Sequence, residues 1–151
     1  MHRYMFSAAY LLSDTARLLR RAFDERVRQL DLTSTQARLL LILSRDEGQN
    51  QAFYAERLEV EPISLCRLLD RMVATGRIER RPDPADRRAW RVFLTADGHK
   101  IIKQVNTSSI GLEAELLLNL SDEQKVALVT ALETIRDNLS HPKREVAASD
   151  V

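Results

Sequence analysis

Cysteine, histidine, glycine and long apolar runs are all scarce in this chain of 151 residues. A single cysteine, Cys66, excludes an intramolecular disulfide and any metal site built from several cysteines. The three histidines lie far apart, and the four glycines form neither a phosphate-binding loop nor part of a familiar catalytic motif. No apolar run approaches the ~20 residues needed to cross a membrane. These absences predict a cytoplasmic protein that is not an enzyme, carries no metal or cofactor and does not enter a membrane.

Arginine, by contrast, is concentrated in one short segment. The chain is almost neutral, with a net charge of +1, yet residues 77–91 hold six arginines against three acidic residues, a local charge of +3. The remainder is therefore slightly acidic on balance. A positive field focused in this way is typical of a surface that meets nucleic acid.

Four helices are predicted before the arginine-rich segment. Apolar residues recur at steps of three and four over 3–30, which indicates a long amphipathic helix. Thr33 and Gln36 have the spacing of a capping box at the start of a second helix, whose middle is strongly apolar. Two shorter helices, 51–58 and 62–75, are separated by a tight turn. Such a pair is typical of a helix-turn-helix.

A β-hairpin is predicted next, in the arginine-rich segment itself. The stretches "RIERR" and "RAWRVFLT" indicate strands, with Trp90, Val92 and Leu94 alternating onto one face, and "PDPAD" supplies the turn. Two more helices occupy 96–140, and the tail, 141–151, lacks a core-forming pattern and is expected to fray. The predicted fold is mainly α with a small β-hairpin wing: a winged helix-turn-helix core with long N- and C-terminal helices.

The helix over 62–75 has two different faces when it is plotted at ~100° per residue. The packing face carries Leu65, Leu68, Leu69, Met72 and Val73. The free face carries Ile63, Ser64, Arg67, Asp70, Arg71 and Ala74. Arginine can bind guanine or phosphate, and an apolar side chain can meet a thymine methyl group, so the free face suits a DNA major groove. The alternative is a solvated face on which the two arginines merely pair with Asp70.

The hairpin arginines extend the same pattern. Arg87 and Arg88, in the turn, can project into a minor groove, whose narrow A·T tracts attract guanidinium groups. Arg80, Arg81 and Arg91 are placed to reach phosphates. An ordinary edge hairpin, kept from aggregating by its charges, is the alternative. Arginine on both exposed surfaces of a helix-turn-helix and its hairpin favours a winged helix that binds DNA.

The stretch "SLCRLLDRMVATGRIERRPDPADRRAWRVFLTADG", Ser64 to Gly98, resembles the recognition helix, wing and return strand of the MarR family of bacterial transcriptional regulators, with the SlyA-like branch the nearest. The "DRR" that begins at Asp86, followed by "LT" at Leu94, is a specific signature of that resemblance. The helix order agrees along nearly the whole chain. The resemblance thus implies a single MarR-like domain over 1–151.

The resemblance also implies roles for individual residues. The predicted DNA-contacting set is Ile63, Ser64, Arg67, Arg71, Arg80, Arg81, Arg87, Arg88 and Arg91. Arg87 or Arg88 would be the probe at the wing tip. Asp70 or Asp86 would hold a wing arginine in place without touching DNA itself.

A homodimer is expected on two grounds. The first helix and the last two are amphipathic and remote from the winged core, so that a lone chain would leave large apolar faces in water. Pairing them across a two-fold axis sets two recognition helices roughly 34 Å apart, one turn of DNA. The resemblance implies dimerisation helices at 3–30 and 96–140, around a winged helix-turn-helix at 33–95. An intrachain bundle over the core is the alternative.

Relatives of this type usually repress transcription from pseudopalindromic operators, and many release DNA when a phenolic or anionic small molecule binds between the dimerisation and DNA-binding regions. The resemblance implies the same here. A winged-helix module that binds a protein instead of specific DNA is the competing hypothesis. Three residues depart from the family pattern: Glu59 where glycine is common, Tyr54 where leucine is usual, and Cys66 where a small or hydroxyl residue is typical. For Cys66 we expect a packing role and no redox role.

Overall fold

The computed structural model describes residues 7–140, which form two compact units divided after Glu113. The elements in chain order are α1 (Ala8–Arg28), α2 (Ser34–Arg45), α3 (Gln51–Leu58), α4 (Pro62–Ala74), β1 (Ile78–Pro82), β2 (Trp90–Leu94), α5 (Ala96–Leu116) and α6 (Asp122–Ser140). Over these described residues the fold is mainly α with one antiparallel hairpin, as the sequence predicts. Within the described part of the chain, no helix has an apolar stretch long enough to span a membrane.

Two helices, α2 and α6, begin directly after a residue that caps their first turn. At α2, the Gln36 amide donates to Thr33 Oγ1 while the Thr33 amide donates to Gln36 Oε1, which completes the predicted capping box. In the second unit, Ser121 and Gln124 make the same reciprocal pair of bonds before α6. Each box satisfies two amides that the first turn of a helix would otherwise leave without a partner. Polar sequence signals therefore fix where these helices begin.

Apolar side chains from five helices and the hairpin meet in the core of the first unit. Its fully buried members include Val27 on α1, Leu39, Leu40 and Leu43 on α2, Tyr54 on α3, Leu65, Leu69 and Met72 on α4, Ile78 and Val92 on the hairpin, and Val105 on α5. Burying a side chain of this size contributes roughly 1.5–3 kcal/mol to folding. This core holds α4 and the hairpin together as one rigid support.

The connection between α2 and α3 is fixed by Tyr54. Its ring is fully buried, and its hydroxyl donates to the Asp46 carbonyl over 2.6 Å and accepts from the Gln49 amide over 3.2 Å. A leucine at this position could pack, but it could not satisfy those two backbone groups. Burial raises the pKa of the Tyr54 phenol above its ordinary value. The phenol therefore keeps its proton to a higher pH than an exposed tyrosine does.

The two faces of the hairpin have different surroundings, because one faces the core and the other faces outward. The register Ile78↔Leu94 and Arg80↔Val92 places those four residues on the inner face, toward the core. The outer face carries Glu79, Arg81, Arg91 and Phe93. Because successive side chains in a strand point to opposite faces, neighbouring arginines of β1 have different surroundings.

A short segment before α3 lies along the free edge of β2. The Gly48 amide donates to the Val92 carbonyl over 2.9 Å, and the Val92 amide donates to the Gln49 carbonyl over 3.1 Å. The Glu47 carboxylate accepts from the Leu94 amide over 2.7 Å. Gly48 has φ 78°, and a Cβ there would lie 2.9 Å from the Phe93 ring, so this close approach needs glycine. The wing is thereby joined to the helix-turn-helix by backbone as well as by side chains.

The observed elements differ from the predicted ones in a few places. α1 ends at Arg28, earlier than predicted, and the predicted start at Arg3 and the tail, 141–151, lie outside the described residues. Val73 was placed on the packing face of α4 but is 39% exposed, because it lies at the edge of the buried stripe. Trp90 was placed inward with Val92 and Leu94 but is 45% exposed, because it begins β2 at the distal end of the hairpin.

Candidate nucleic-acid interface

The free face of α4 is exposed along its whole length. Its exposed residues are Ile63, Ser64, Arg67, Asp70, Arg71 and Ala74. The opposite face buries Leu65, Leu69 and Met72, so packing in the core fixes the direction of the free face. Ile63 is 64% exposed, although an isolated isoleucine gains nothing from contact with water. A rigid helix that presents hydroxyl, guanidinium and apolar groups together suits a DNA major groove.

Arg67 and Arg71 have no ion pair with any other residue in the described part of the chain. They line an open surface cavity of about 440 Å³ that also includes Ser64 on α4 and Thr33 and Thr35 at the start of α2. The alternative in which both arginines pair with Asp70 is therefore not what the structure shows, because Asp70 accepts from a different arginine. Two unpaired guanidinium groups beside hydroxyls form a place for phosphate or a base edge.

The arginine that pairs with Asp70 is Arg80, on the inner face of the hairpin. Its Nη1 donates to Asp70 Oδ1 over 2.6 Å, and its Nη2 donates to the Cys66 carbonyl over 3.3 Å. The Arg80 side chain is only 25% exposed, and its Nε is buried without a hydrogen-bond partner. Both acceptors belong to α4, so Arg80 connects the wing to the helix that carries the free face.

Arg81 and Arg91 lie opposite each other on the outer face of the hairpin. Two like charges in directly opposed positions repel, and each arginine has its own acidic partner. Arg81 donates to Glu79 and stacks on the Phe93 ring, with its guanidinium carbon 4.1 Å from the ring centroid. Arg91 Nε lies 3.1 Å from Asp83 Oδ2. These two arginines are therefore already paired before any DNA is present.

Arg87 and Arg88 lie in the turn of the wing and are both exposed. Neither side chain forms an ion pair with another residue of the described chain. The backbone beneath them is held by Asp86, whose Oδ1 accepts from the Arg88 amide over 2.9 Å. Asp86 thus bonds to the backbone of a wing arginine and makes no ion pair with its side chain. The wing presents two unpaired guanidinium groups at its tip.

Sequence reasoning did not single out Asp83 or Glu79, which entered only as negative charges. The structure places both against arginines of the predicted DNA-contacting set. For Glu79 a signal was available, since it stands two residues from Arg81 on one strand face. For Asp83 the partner Arg91 lies across the hairpin, so its pairing depends on the register and turn length.

Cys66, which belongs to neither of the two faces of the helical plot, is half-buried. It lines a second cavity of about 440 Å³, together with Gln51, Asp70, Arg80 and Trp90. Across the described residues 7–140, no group of histidine, cysteine and acidic side chains is arranged to hold a metal ion.

Comparison with known proteins agrees with this geometry. A sequence model described as "MarR family" matches residues 32–90. Wild-type apo MarR from E. coli has 27% identity and a TM-score of 0.79, over 86% of this chain and 96% of its own. A mutant MarR from E. coli complexed with operator DNA has 26% identity and a TM-score of 0.75, over 89% and 97%. The transcriptional repressor CouR bound to a 23-mer DNA duplex has 26% identity and a TM-score of 0.79, over 90% and 96%.

The matched segment contains α2, α3, α4 and β1, together with the turn of the wing. These are the elements that position the free face of α4 and the arginines of the wing. The structural likeness extends further, over most of the chain. Residues 32–90 thus carry the MarR-family domain of winged-helix, DNA-binding transcriptional regulators, and the fold of solved MarR structures extends over most of the chain.

Proposed function

We propose that this protein is a homodimeric repressor that binds a pseudopalindromic operator and is released from it by a small phenolic or anionic ligand, in the cytoplasm where a bacterial chromosome is accessible. The observation that carries the proposal is the exposed free face of α4, on which Arg67 and Arg71 have no acidic partner among the described residues. Exposed arginines without partners are able to exchange water for DNA without first breaking an ion pair.

The free face of α4 would read bases in the major groove. Arg67, in the middle of the helix, is the residue we assign to a guanine edge, since a bidentate contact of this kind discriminates by about 1–3 kcal/mol. Ile63 and Ser64 come from the first turn, the part of a recognition helix that commonly contacts base edges. Arg71 lies one turn after Arg67 and would contact phosphate, which fixes the register of the protein on DNA.

The wing would contribute the minor-groove contact. Arg87 and Arg88 are exposed at the tip of the hairpin. Arg80 bonds this hairpin to α4, and the segment that precedes α3 pairs with β2. A narrow A·T minor groove has an enhanced negative potential that attracts such guanidinium groups. Arg81 and Arg91 each have an acidic partner, so we assign them to weaker, long-range attraction of phosphates.

The dimer would form through the terminal helices. α1 leaves Leu11, Leu12, Leu18 and Leu19 at least 36% exposed. α6 has no buried residue at all, although it carries Val126, Val129, Leu132 and Leu139. Apolar faces of this size are covered in soluble proteins by a partner, and a second copy is the partner that a two-fold operator needs. Two of the similar structures are complexes with DNA, one of them with operator DNA.

Ligand release has a candidate site in the cavity beside Arg80. A planar anion in this cavity would meet the Arg80 guanidinium and the Trp90 ring. Its negative charge would compete with Asp70 for Arg80, and so weaken the link between the wing and α4. Benzoate is a suitable anionic probe, with benzyl alcohol as the uncharged control. Quenching of Trp90, the only tryptophan, together with loss of DNA binding, is the expected result.

Selection from random duplex DNA tests the main proposal. Purified protein is incubated with the pool at two salt concentrations, and the retained fraction is sequenced. We expect an inverted repeat with half-sites about one turn apart, retained less well at the higher salt. Enrichment of a single half-site would contradict the dimer. Absence of binding at low salt would contradict DNA recognition and would favour the winged-helix module that binds a protein.

A further inference from the structure

The wing turn is built around Asp83. Its backbone amide donates to the Ala89 carbonyl over 3.0 Å, which closes the turn, and its Oδ1 accepts from the Ala85 amide over 2.9 Å. Inside that loop, the Ala89 amide donates to the Asp86 carbonyl over 3.0 Å. A carboxylate that bonds to the amide two residues ahead mimics a backbone turn and fixes the direction of the chain.

The second oxygen of the same carboxylate holds β2. Asp83 Oδ2 lies 3.1 Å from Arg91 Nε, and the Asp83 side chain is only 13% exposed although it is near the tip of a hairpin. Asp83 therefore bonds at once to the turn and to the strand that leaves it. The Ala85 amide and Arg91 together hold the pKa of the carboxyl below its ordinary value, which favours the charged form.

A negative charge at this position is unexpected in a surface that meets phosphates. Coulomb repulsion alone would make Asp83 weaken DNA binding, and neutralising it would strengthen binding. The burial of Asp83 and its two bonds indicate instead that Asp83 strengthens DNA binding. The loop it closes is the one that carries Arg87 and Arg88.

We propose that Asp83 is a positioning residue, which fixes the wing turn so that Arg87 and Arg88 point into the minor groove. This inference rests on the proposed function, since it concerns the use of the same wing. Without Asp83 the turn has to be ordered when DNA binds, and the two arginine side chains lose freedom at that step. An ordering cost of this kind corresponds to a loss of affinity of about tenfold.

Three variants separate positioning from charge. Asp83→Ala removes both bonds of the carboxylate, whereas Asp83→Asn removes the negative charge and keeps an oxygen for the Ala85 amide. Glu79→Gln is the matched control, because Glu79 also pairs with a hairpin arginine but makes no bond to the turn. We expect operator affinity to fall about tenfold in Asp83→Ala, to fall less in Asp83→Asn, and to stay equal or rise slightly in Glu79→Gln.

The measurement is equilibrium binding of each variant to the selected operator and to a scrambled duplex of the same length. If Asp83 positions the wing, Asp83→Ala should lose affinity for the operator but not for the scrambled duplex. The ratio of the association constant for the operator to that for the scrambled duplex should therefore fall. Operator binding by Asp83→Ala that equals or exceeds the wild type would overturn the inference. Failure of the wild type to bind any duplex would instead overturn the proposed function.

Hydrogen exchange of the free protein tests the structural half of the inference without DNA. The amides of Ala85 and Ala89 are expected to exchange faster in Asp83→Ala than in the wild type, while core amides such as Leu40 keep their rates. Glu79→Gln should leave the turn amides unchanged. Equal exchange in Asp83→Ala and the wild type would show that Asp83 does not order the turn.

Discussion

Arg80 on β1 donates to Asp70 on α4 over 2.6 Å, and this contact joins the wing to the helix that presents the free face. Arg80 also reaches the Cys66 carbonyl, so it bonds to α4 at positions one turn apart. The sequence predicted Arg80 as a phosphate contact. Its bonding inside the protein supports a positioning role, and Asp70 is the acidic residue that holds it.

Salt dependence distinguishes the two roles. Each phosphate neutralised by a protein cation contributes about 0.9 to the slope of log K against log salt. Arg71→Gln should therefore lower the slope by about two for a dimer, because Arg71 is assigned to phosphate and has no ion pair in the described chain. Arg80→Gln should lower operator affinity while leaving the slope nearly unchanged. A slope that falls equally in both variants would restore Arg80 to the set of phosphate contacts.

Truncation of Arg67 tests base reading by α4. Arg67→Ala should cost about 1–3 kcal/mol of binding free energy for each half-site if the guanidinium binds a guanine edge. Repeating the selection with this variant should show relaxed preference at one position of each half-site. Lys103→Ala, which removes one positive charge from an exposed position on α5, is the control and should change neither quantity. Uniform weakening on all sequences would mean that Arg67 contacts phosphate instead.

Most of the fold could be predicted because local signals determine it. The capping box at Thr33 and the proline at the start of α4 set helix starts, and apolar spacing assigned the buried face of α4 correctly except for Val73. These signals depend on residues within one or two helical turns of each other. The exposed end of the hairpin, where Trp90 lies, could not be assigned from alternation alone.

Local signals did not decide which arginine each acidic residue would hold, although the resemblance gave Asp70 or Asp86 for a wing arginine. Arg80 and Arg81 are neighbours in sequence, yet one pairs with α4 and the other with Glu79 on the same strand. Which of them faces inward depends on the hairpin register, because a slip of one residue reverses every side chain of a strand. The pairing of Asp83 with Arg91 depends in addition on the number of residues in the turn.

Gly98 should be intolerant of any side chain. A Cβ at this position would lie 2.0 Å from the Arg77 carbonyl oxygen, and that oxygen belongs to the backbone and cannot move aside. Gly98→Ala is expected to lower the free energy of unfolding by on the order of 3 kcal/mol. Gly111→Ala, on the same helix, meets nothing within 4 Å and should raise it by about 0.5–1 kcal/mol. Urea denaturation of both variants measures these opposite changes in the free energy of unfolding.

Glu59 has φ 55° at the end of α3, in the left-handed region where a side chain costs roughly 1 kcal/mol. Glu59→Gly should therefore stabilise the protein by up to about 1 kcal/mol without altering the turn. Glu56→Gly, inside the same helix, is the control and should destabilise it by about 1 kcal/mol. Both changes remove one exposed carboxylate, so a shared charge effect cannot produce opposite signs. Loss of stability in both variants would show that Glu59 makes a compensating contact.

Tyr54 should make the protein sensitive to alkaline pH. Since burial raises its pKa in the folded state, the unfolded chain loses its phenolic proton first as the pH rises, and this favours unfolding. The contribution of Tyr54 to stability is thus complete below the ordinary pKa of tyrosine, 10.0, and declines above it. Tyr54→Phe should cost about 1–2 kcal/mol at pH 7, because the Asp46 carbonyl and Gln49 amide lose their partner.

Above pH 10 that difference should shrink, since phenylalanine does not ionise. Urea denaturation of the wild type and Tyr54→Phe, at pH 7 and at several values above pH 10, measures the effect. Tyr10→Phe, at a half-exposed position on α1, should follow the wild type throughout. A Tyr54→Phe variant that loses stability in parallel with the wild type above pH 10 would show that another group is responsible for the alkaline transition.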